Sequence, residues 1–332
     1  MNENSKFSKM LALLTGIIIL FSVLGALPLS DIYFEPARPL ETEFVEEGIL
    51  NDESEMPLMR GTRQGSPRAV LVEMFTNWAC GPCANAVPAI NDLMDVYDPS
   101  EAVFILYHGN YPDPFDPFHT YNKPEEDERE AYYKGDESQM AYPTVYFDGL
   151  NEQSGAYLDP KINYDIYKSL IDDRLTEPSP LNITVVGDII GSTGYVDVNI
   201  EATEDLSGFF KVRLAVVEDN KYAAGPNGEK RQRNIMRDML EEEWLPPLDN
   251  GEELSFSRTF PVDAIWNMNR VSVIVFVQKE STKEVQQAAV YDFIPQGIIM
   301  IDDDESDHPE GFEDTYHELL CKMAKSWDCW VL

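Results

Sequence analysis

Four adjacent residues carry the most pointed chemistry in the chain: Cys80-Gly81-Pro82-Cys83. Two cysteines separated by two residues can bring their sulfurs together where a helix begins, and the helix N-terminus favours a thiolate on the first of them. The flanking sequence supplies that setting. Upstream, Val-Leu-Val-Glu-Met-Phe at residues 70–75 is mostly apolar and β-favouring and follows the breaker Gly65-Ser66-Pro67, the pattern of a short buried strand. Downstream, Val87, Ile90, Met94 and Tyr97 recur at helical spacing. Strand, C-x-x-C and helix in succession favour thiol–disulfide chemistry, with Cys80 attacking and Cys83 resolving. Two other readings stay open. Half of a zinc site would need a second C-x-x-C or an H-x-x-x-H, and the chain has neither. A purely structural disulfide fits an oxidising compartment. Neither a metal nor another cofactor is expected.

The tetrapeptide resembles the active site of thioredoxins, in which a proline five residues after the second cysteine kinks the active-site helix; Pro88 occupies that position. Thioredoxin-fold proteins also carry a cis-proline loop facing the cysteines, and Ala141-Tyr142-Pro143-Thr144-Val145-Tyr146-Phe147-Asp148-Gly149 resembles it. A cis X-Pro bond costs far less than any other cis peptide, so a proline is where such a turn can be built. The resemblance implies a cis Tyr142–Pro143 bond beside Cys80 and a substrate platform of Trp78, Gly81, Pro82, Tyr142 and Pro143. The chain departs from the pattern twice. Thioredoxins place a buried carboxylate six residues before the first cysteine, where this chain has Met74. Glu73 is adjacent, but alternation along a strand points it to the opposite face. Thioredoxins also put Trp immediately before that cysteine, where Ala79 displaces Trp78 by one.

The 332 residues suffice for about two domains, and 60 acidic against 25 basic residues leave a formal charge of −35. Such a surface repels phosphate backbones, so no nucleic-acid partner is expected. The N-terminus has Lys6 and Lys9 before an apolar run at residues 10–29, and Asp31 and Glu35 follow. This is an export signal long enough to span a bilayer, read as a signal peptide or, in slight preference, an uncleaved anchor over residues 1–29. Either way, the remainder is expected outside the cytoplasm, held at the membrane through the N-terminal segment or secreted. Residues 30–67 read as a disordered linker.

Residues 68–177 are the expected α/β thioredoxin-like domain, with a second strand at 102–108 and a long connection at 108–139 over the active-site face. His108 and His119 near it are read as polar loop residues. A hairpin follows Asp148-Gly149, and a helix from Pro160 is expected to bury Ile162, Ile166, Leu170 and Ile171. Pro178-Ser179-Pro180 marks a boundary, after which alternating segments at 181–190, 195–202, 209–217, 253–261, 271–279 and 285–294 suggest an all-β immunoglobulin-like sandwich over residues 178–295. Residues 234–244 read as a helix inserted in it. This order of domains resembles the extracytoplasmic family named for a twenty-eight-kilodalton outer membrane protein. Residues 296–332 resemble the opening β-α-β of a flavodoxin-like domain, with Cys321 and Cys329 lacking any motif.

The expected function is an extracytoplasmic protein thiol–disulfide oxidoreductase, acting on protein thiols or disulfides and exchanging electrons with a donor or acceptor at the membrane. No Lys, Arg or His within the motif stabilises Cys80 further, which favours a reductase or isomerase over a strong oxidant. The competing reading is a cell-surface binding or adhesion module in which Cys80–Cys83 is structural.

Overall fold

The computed structural model of the chain describes residues 65–135 and 140–293. The predicted signal or anchor (1–29), the predicted linker up to residue 64 and the predicted C-terminal fragment (296–332) lie outside the described residues. Among those described, no helix is long and apolar enough to cross a membrane.

Strands β1 (Val70–Thr76) and β2 (Ala102–His108) are buried at every position and pair in parallel, from Val70 opposite Ala102 to Thr76 opposite His108. Continuous apolar runs suit strands covered on both faces. On one face, Val70, Val72 and Met74 share a core with Ala86, Val87, Ile90 and Leu93 of helix α1 (Cys83–Met94) and with Tyr167 and Ile171 of helix α4 (Pro160–Leu175). On the other, Leu71, Phe75 and Tyr107 cluster with Tyr133 of helix α3 (Lys123–Lys134). Each such fully buried large side chain contributes roughly 1.5–3 kcal/mol. Helix α4 starts where expected, with Asp159 accepting from Lys161 N and Pro160 in the first turn. Its buried line is Asn163, Tyr167 and Ile171, so Ile162, expected inside, is 43% exposed.

Strand β3 (Thr144–Phe147) lies antiparallel to β1, and β4 (Asn151–Ser154) closes that edge. The long connection after β2 folds into α2 (Pro117–Tyr121) and α3.

Beyond Pro178, the regular structure of the described residues is all strand apart from one short helical turn: β5 (Leu181–Ile190), β6 (Thr193–Ala202), β7 (Phe210–Glu218), the two-residue strands β8 (Lys221–Tyr222) and β9 (Arg231–Gln232), β10 (Ile235–Leu245), β11 (Glu253–Pro261), β12 (Val271–Lys279) and β13 (Val285–Asp292). Three of these form a small antiparallel sheet, β11-β6-β5. The larger sheet has eight strands in the order β13-β12-β7-β10-β2-β1-β3-β4. A core including Leu181, Val198, Ile200, Leu214, Val216, Phe260, Val273 and Val275 fills the space between the two sheets.

The helix expected over 234–244 is instead β10, antiparallel to β7. Register shifts between Met236 and Asp238 and between Leu240 and Glu243 interrupt the period of two. Two bulges in one strand return apolar residues at spacings that imitate a helix. Strand β10 also joins the halves of the large sheet. Ile235 pairs in parallel with Leu106 of β2, Leu106 N donates to Asn234 O (2.9 Å), and Asn234 Nδ2 donates to Phe104 O (3.1 Å). At the end of the expected linker, Ser66 is buried and exchanges backbone hydrogen bonds with Ser179.

Candidate active site

Strand β1 ends at Thr76, and the next residues fold into a tight turn that presents the cysteines. Asn77 is buried at its centre: Nδ2 donates to Gly109 O (2.8 Å) and Asp113 O (2.9 Å), while Oδ1 accepts from Ala79 N (3.0 Å). Cys80 N then donates to Asn77 O (2.9 Å). Trp78 is held to the following connection through Nε1, which donates to Asp113 Oδ2 (2.7 Å). Cys80 and Cys83 are joined as a disulfide, and Cys83 N at the start of α1 donates to Cys80 Sγ (3.2 Å). A helix-terminal N–H aimed at the first sulfur is the local contact that would favour its thiolate after reduction. Gly81 and Pro82 are exposed between the two cysteines, which are themselves buried.

Tyr142–Pro143 is cis, as expected, and so is Tyr111–Pro112, which was not anticipated. Tyr142 belongs to the same buried cluster as Cys80 and Cys83. Its hydroxyl donates to Glu130 of α3, and burial followed by that carboxylate pushes its pKa up. The ring lies so close to Gly109 that a Cβ there would stand 1.6 Å from the hydroxyl oxygen. Gly109 is therefore required by packing. Trp78, Gly81, Pro82, Tyr142 and Pro143 are the residues the sequence assigned to the substrate platform; among them, Tyr142 is brought into one cluster with the cysteines, and Trp78, Gly81 and Pro82 adjoin them in the chain.

Both histidines differ from the loop residues expected. His108 is the last residue of β2 and is buried, as is His119 in α2, whose Nε2 lies 2.8 Å from Asp127 Oδ1. His108 Nδ1 lies 2.9 Å from Asp116 Oδ2, and the ring tilts over Phe118. Asp116 caps α2: Oδ1 accepts from Phe118 N (2.9 Å) and His119 N (3.4 Å), while Oδ2 also accepts from Trp78 N (2.7 Å). Burial opposes its ionisation, but His108 and the N–H groups of Trp78 and Phe118 outweigh this and hold Asp116 below the usual carboxylate range. Glu126 of α3 accepts from His108 N (3.0 Å); burial and the neighbouring Asp116 push its pKa well up.

The hairpin joining β8 to β9 completes the enclosure from 147 residues away: Asn227 Nδ2 donates to Cys80 O (3.3 Å), and Asn227 N donates to Trp78 O (3.3 Å). Gly225 passes so near that a Cβ would meet Trp78 O at 2.5 Å. Glu229 follows, its N donating to Asn227 Oδ1 (3.0 Å) and its Oε2 accepting from Gln232 Nε2 (3.3 Å). Asp116, Glu126, Asn227 and Glu229 were absent from the sequence-based site. Only Asp116 had a local signal, an Asp-Pro pair of the kind that opens a helix.

Glu73 and Met74 lie on opposite faces of β1, as alternation requires. Met74 packs in the core with α1 and α4, whereas Glu73 is clasped by Arg129 of α3. No group of at least three His, Cys, Asp or Glu among the described residues is arranged to hold a metal ion.

No protein-family model matches the chain, and no curated protein matches it. Solved structures do. HBP35 of Porphyromonas gingivalis superposes with a TM-score of 0.57 at 14% identity, covering 72% of this chain and 80% of that one. Protein AGR_C_4864 of Agrobacterium tumefaciens gives a TM-score of 0.45 at 16% identity over 69% and 96% of the two chains. A domain of the outer membrane lipoprotein Omp28 of Porphyromonas gingivalis gives 0.27 at 18% over 36% and 91%. The fold shared with HBP35 extends well beyond the residues around the cysteines, and its strand, Cys-Gly-Pro-Cys, helix and cis-proline strand are those of a thioredoxin-like fold.

Proposed function

We propose that the chain is an extracytoplasmic thiol–disulfide oxidoreductase that acts through Cys80 and Cys83, as a reductase or isomerase. The observation that carries this reading is the disulfide at the start of α1, with the Cys83 N–H directed at Cys80 Sγ and Tyr142 of the cis-proline turn in the same cluster. In the reducing direction, the Cys80 thiolate attacks a substrate disulfide. One substrate sulfur leaves as a thiolate and takes a proton, and a mixed disulfide forms. Cys83 then loses its proton and attacks Cys80 Sγ, which releases the second substrate sulfur. Two electrons pass to the substrate, and the new Cys80–Cys83 disulfide awaits a dithiol donor at the membrane. Trp78, Gly81, Pro82, Tyr142 and Pro143 form the surface that receives the substrate polypeptide. Location outside the cytoplasm rests on Lys6, Lys9 and the apolar run at 10–29. We read residues 178–295 as a second domain, an immunoglobulin-like sandwich, supported by three strands in the small sheet facing four of the large one.

One observation favours the competing reading, a binding or adhesion module with a structural disulfide: Cys80 is only 3% exposed, and Asn227 pins the turn that carries it. The Cys83→Ser variant separates the two. An oxidoreductase accumulates mixed disulfides through Cys80, resolved by reducing against non-reducing electrophoresis and mass spectrometry. A structural pair accumulates none, and that result would end the oxidoreductase reading.

A further inference from the structure

The buried polar atoms around the Cys80 turn are not all partnered. Among the described residues, His108 Nε2, Glu126 Oε1, Glu229 Oε1 and Gln232 Oε1 are buried without a hydrogen-bond partner. Buried polar atoms are nearly always paired, so four orphans together single this place out, and three of them belong to titratable side chains. They come from β2, α3 and the β8–β9 hairpin, and their neighbours grip the cysteine turn: Asp116, paired with His108, accepts from Trp78 N, and Asn227 of the hairpin donates to Cys80 O and Trp78 O.

We infer that the protonation of Glu229, buried in the field of His108 and Asp116, is coupled to the ionisation of the Cys80–Cys83 dithiol, with Glu229 a positioning residue supplied by the β-rich region. The inference rests on the oxidoreductase reading for its meaning, though the coupling itself is a property of the thiols alone. Its physical basis is short-range charge interaction in a desolvated site. An ionised Glu229 beside the turn disfavours a second negative charge on sulfur; a protonated Glu229 removes that opposition. Burial pushes the Glu229 pKa up, against the opposing pull of Gln232, His108 and Asn227, which moves its proton exchange toward the range where thiols react.

The charged surroundings are mixed. His108 faces Asp116 from the segment before α2, Glu126 from α3 and Glu229 from the hairpin. Arg237 of β10 lies over Phe118 and Tyr121 and pairs with Glu218, while His119 is engaged by Asp127. Asp113 is taken by Trp78, and Lys230 and Arg231 follow Glu229 in the hairpin. Among these, Glu229 can lose its charge in a near-isosteric variant without removing an acceptor from the Trp78 N–H.

The test uses the full-length reduced protein and follows the rate of Cys80 alkylation by iodoacetamide between pH 5 and 10. The Cys80 peptide is quantified by mass spectrometry, so that Cys321 and Cys329 do not interfere. For Glu229→Gln, the alkylation midpoint should fall by about one pH unit, the effect of one nearby charge in a half-desolvated site, which is roughly a tenfold faster reaction below the midpoint. If the Glu229→Gln profile superimposes on that of the parent, the coupling is refuted, even where Cys83→Ser still traps substrates and the oxidoreductase reading survives. If the profile shifts but Cys83→Ser traps nothing, the coupling stands and the oxidoreductase reading falls.

Discussion

Helix α3 helps to build two buried polar clusters, and they are assembled on opposite principles. In the first, Arg129 makes a bidentate pair with Glu73 (2.8 and 2.9 Å), donates to Gln278 Oε1 from both terminal nitrogens (3.1 Å each), and lies over the rings of Tyr133 and Phe276. Tyr133 donates to Glu73 as well, and Gln278 also accepts from Arg213 (3.0 Å). None of the polar side-chain atoms of Glu73, Arg129 or Gln278 is a buried orphan. The second cluster, around His108 and Asp116, leaves acceptors unmatched beside the cysteine turn. A saturated network holds one geometry, here locking α3 and β12 onto β1. An unsaturated one keeps protons exchangeable, which costs stability and leaves charge adjustable. Glu73 therefore does the work of an anchor, although it is the acidic residue nearest in sequence to the position where thioredoxins carry a proton acceptor.

Breaking the saturated cluster should have the largest effect. Arg129→Met leaves Glu73 buried without its counter-charge and should cost about 3–5 kcal/mol, measured by denaturant unfolding at pH 7. Adding Glu73→Leu should recover much of this, because two apolar groups need no partner. A loss below about 1 kcal/mol in the single variant would show that the network is not the anchor its geometry describes.

Asp116→Asn attacks the second cluster and should cost less, about 2 kcal/mol, since amide oxygen replaces carboxylate against Trp78, Phe118 and His119. The pH dependence gives a sharper reading. The folded-state pKa of Asp116 is depressed, so its stabilisation is complete above the unfolded value, near 4, and is lost as pH falls through the lower folded value. The variant should therefore approach the parent in stability on acidification below about pH 4. A gap that persists unchanged at pH 2 would contradict the charged state of Asp116.

What the sequence disclosed and what it withheld divide along the same lines. The cysteine motif, the cis-proline turn and most strands of the β-rich region depend on neighbours a few residues away, so spacing and alternation reveal them; β5, β11 and β12 have the bounds that alternation predicts. Strand β10 was hidden because its bulges broke the alternation. His108 ends an apolar run, and nothing local says that Asp116 folds back onto it. Asn227 and Glu229 sit in a turn of ordinary composition, and only the pairing of β10 with β2 brings their hairpin to Cys80. Contacts of that sequence separation leave no periodic trace.

A third carboxylate tests whether an uncompensated charge matters everywhere or only beside the cysteines. Asp238 in β10 is half-buried, and burial followed by the nearby Glu125 raises its pKa to about 6. Glu125 itself accepts from Met239 N (2.6 Å) and so remains close by. In the unfolded chain Asp238 releases its proton near pH 4, whereas in the fold it holds the proton until about pH 6. Stability therefore falls as pH rises between those values, and above pH 6 the whole penalty is present. Asp238→Asn removes that penalty and should stabilise the protein at pH 8 by about 1 kcal/mol, well short of the full linkage value because solvent screens a half-exposed group. At pH 2.5 it should change almost nothing, because both states are then protonated. The melting temperature at the two pH values measures the difference. Alkylation of Cys80 should be untouched at either, because Asp238 makes no contact with the cysteine turn. A shift there comparable to that of Glu229→Gln would mean that the thiols sense the protein's overall negative charge, and the distinction between the clusters would lose its chemical meaning.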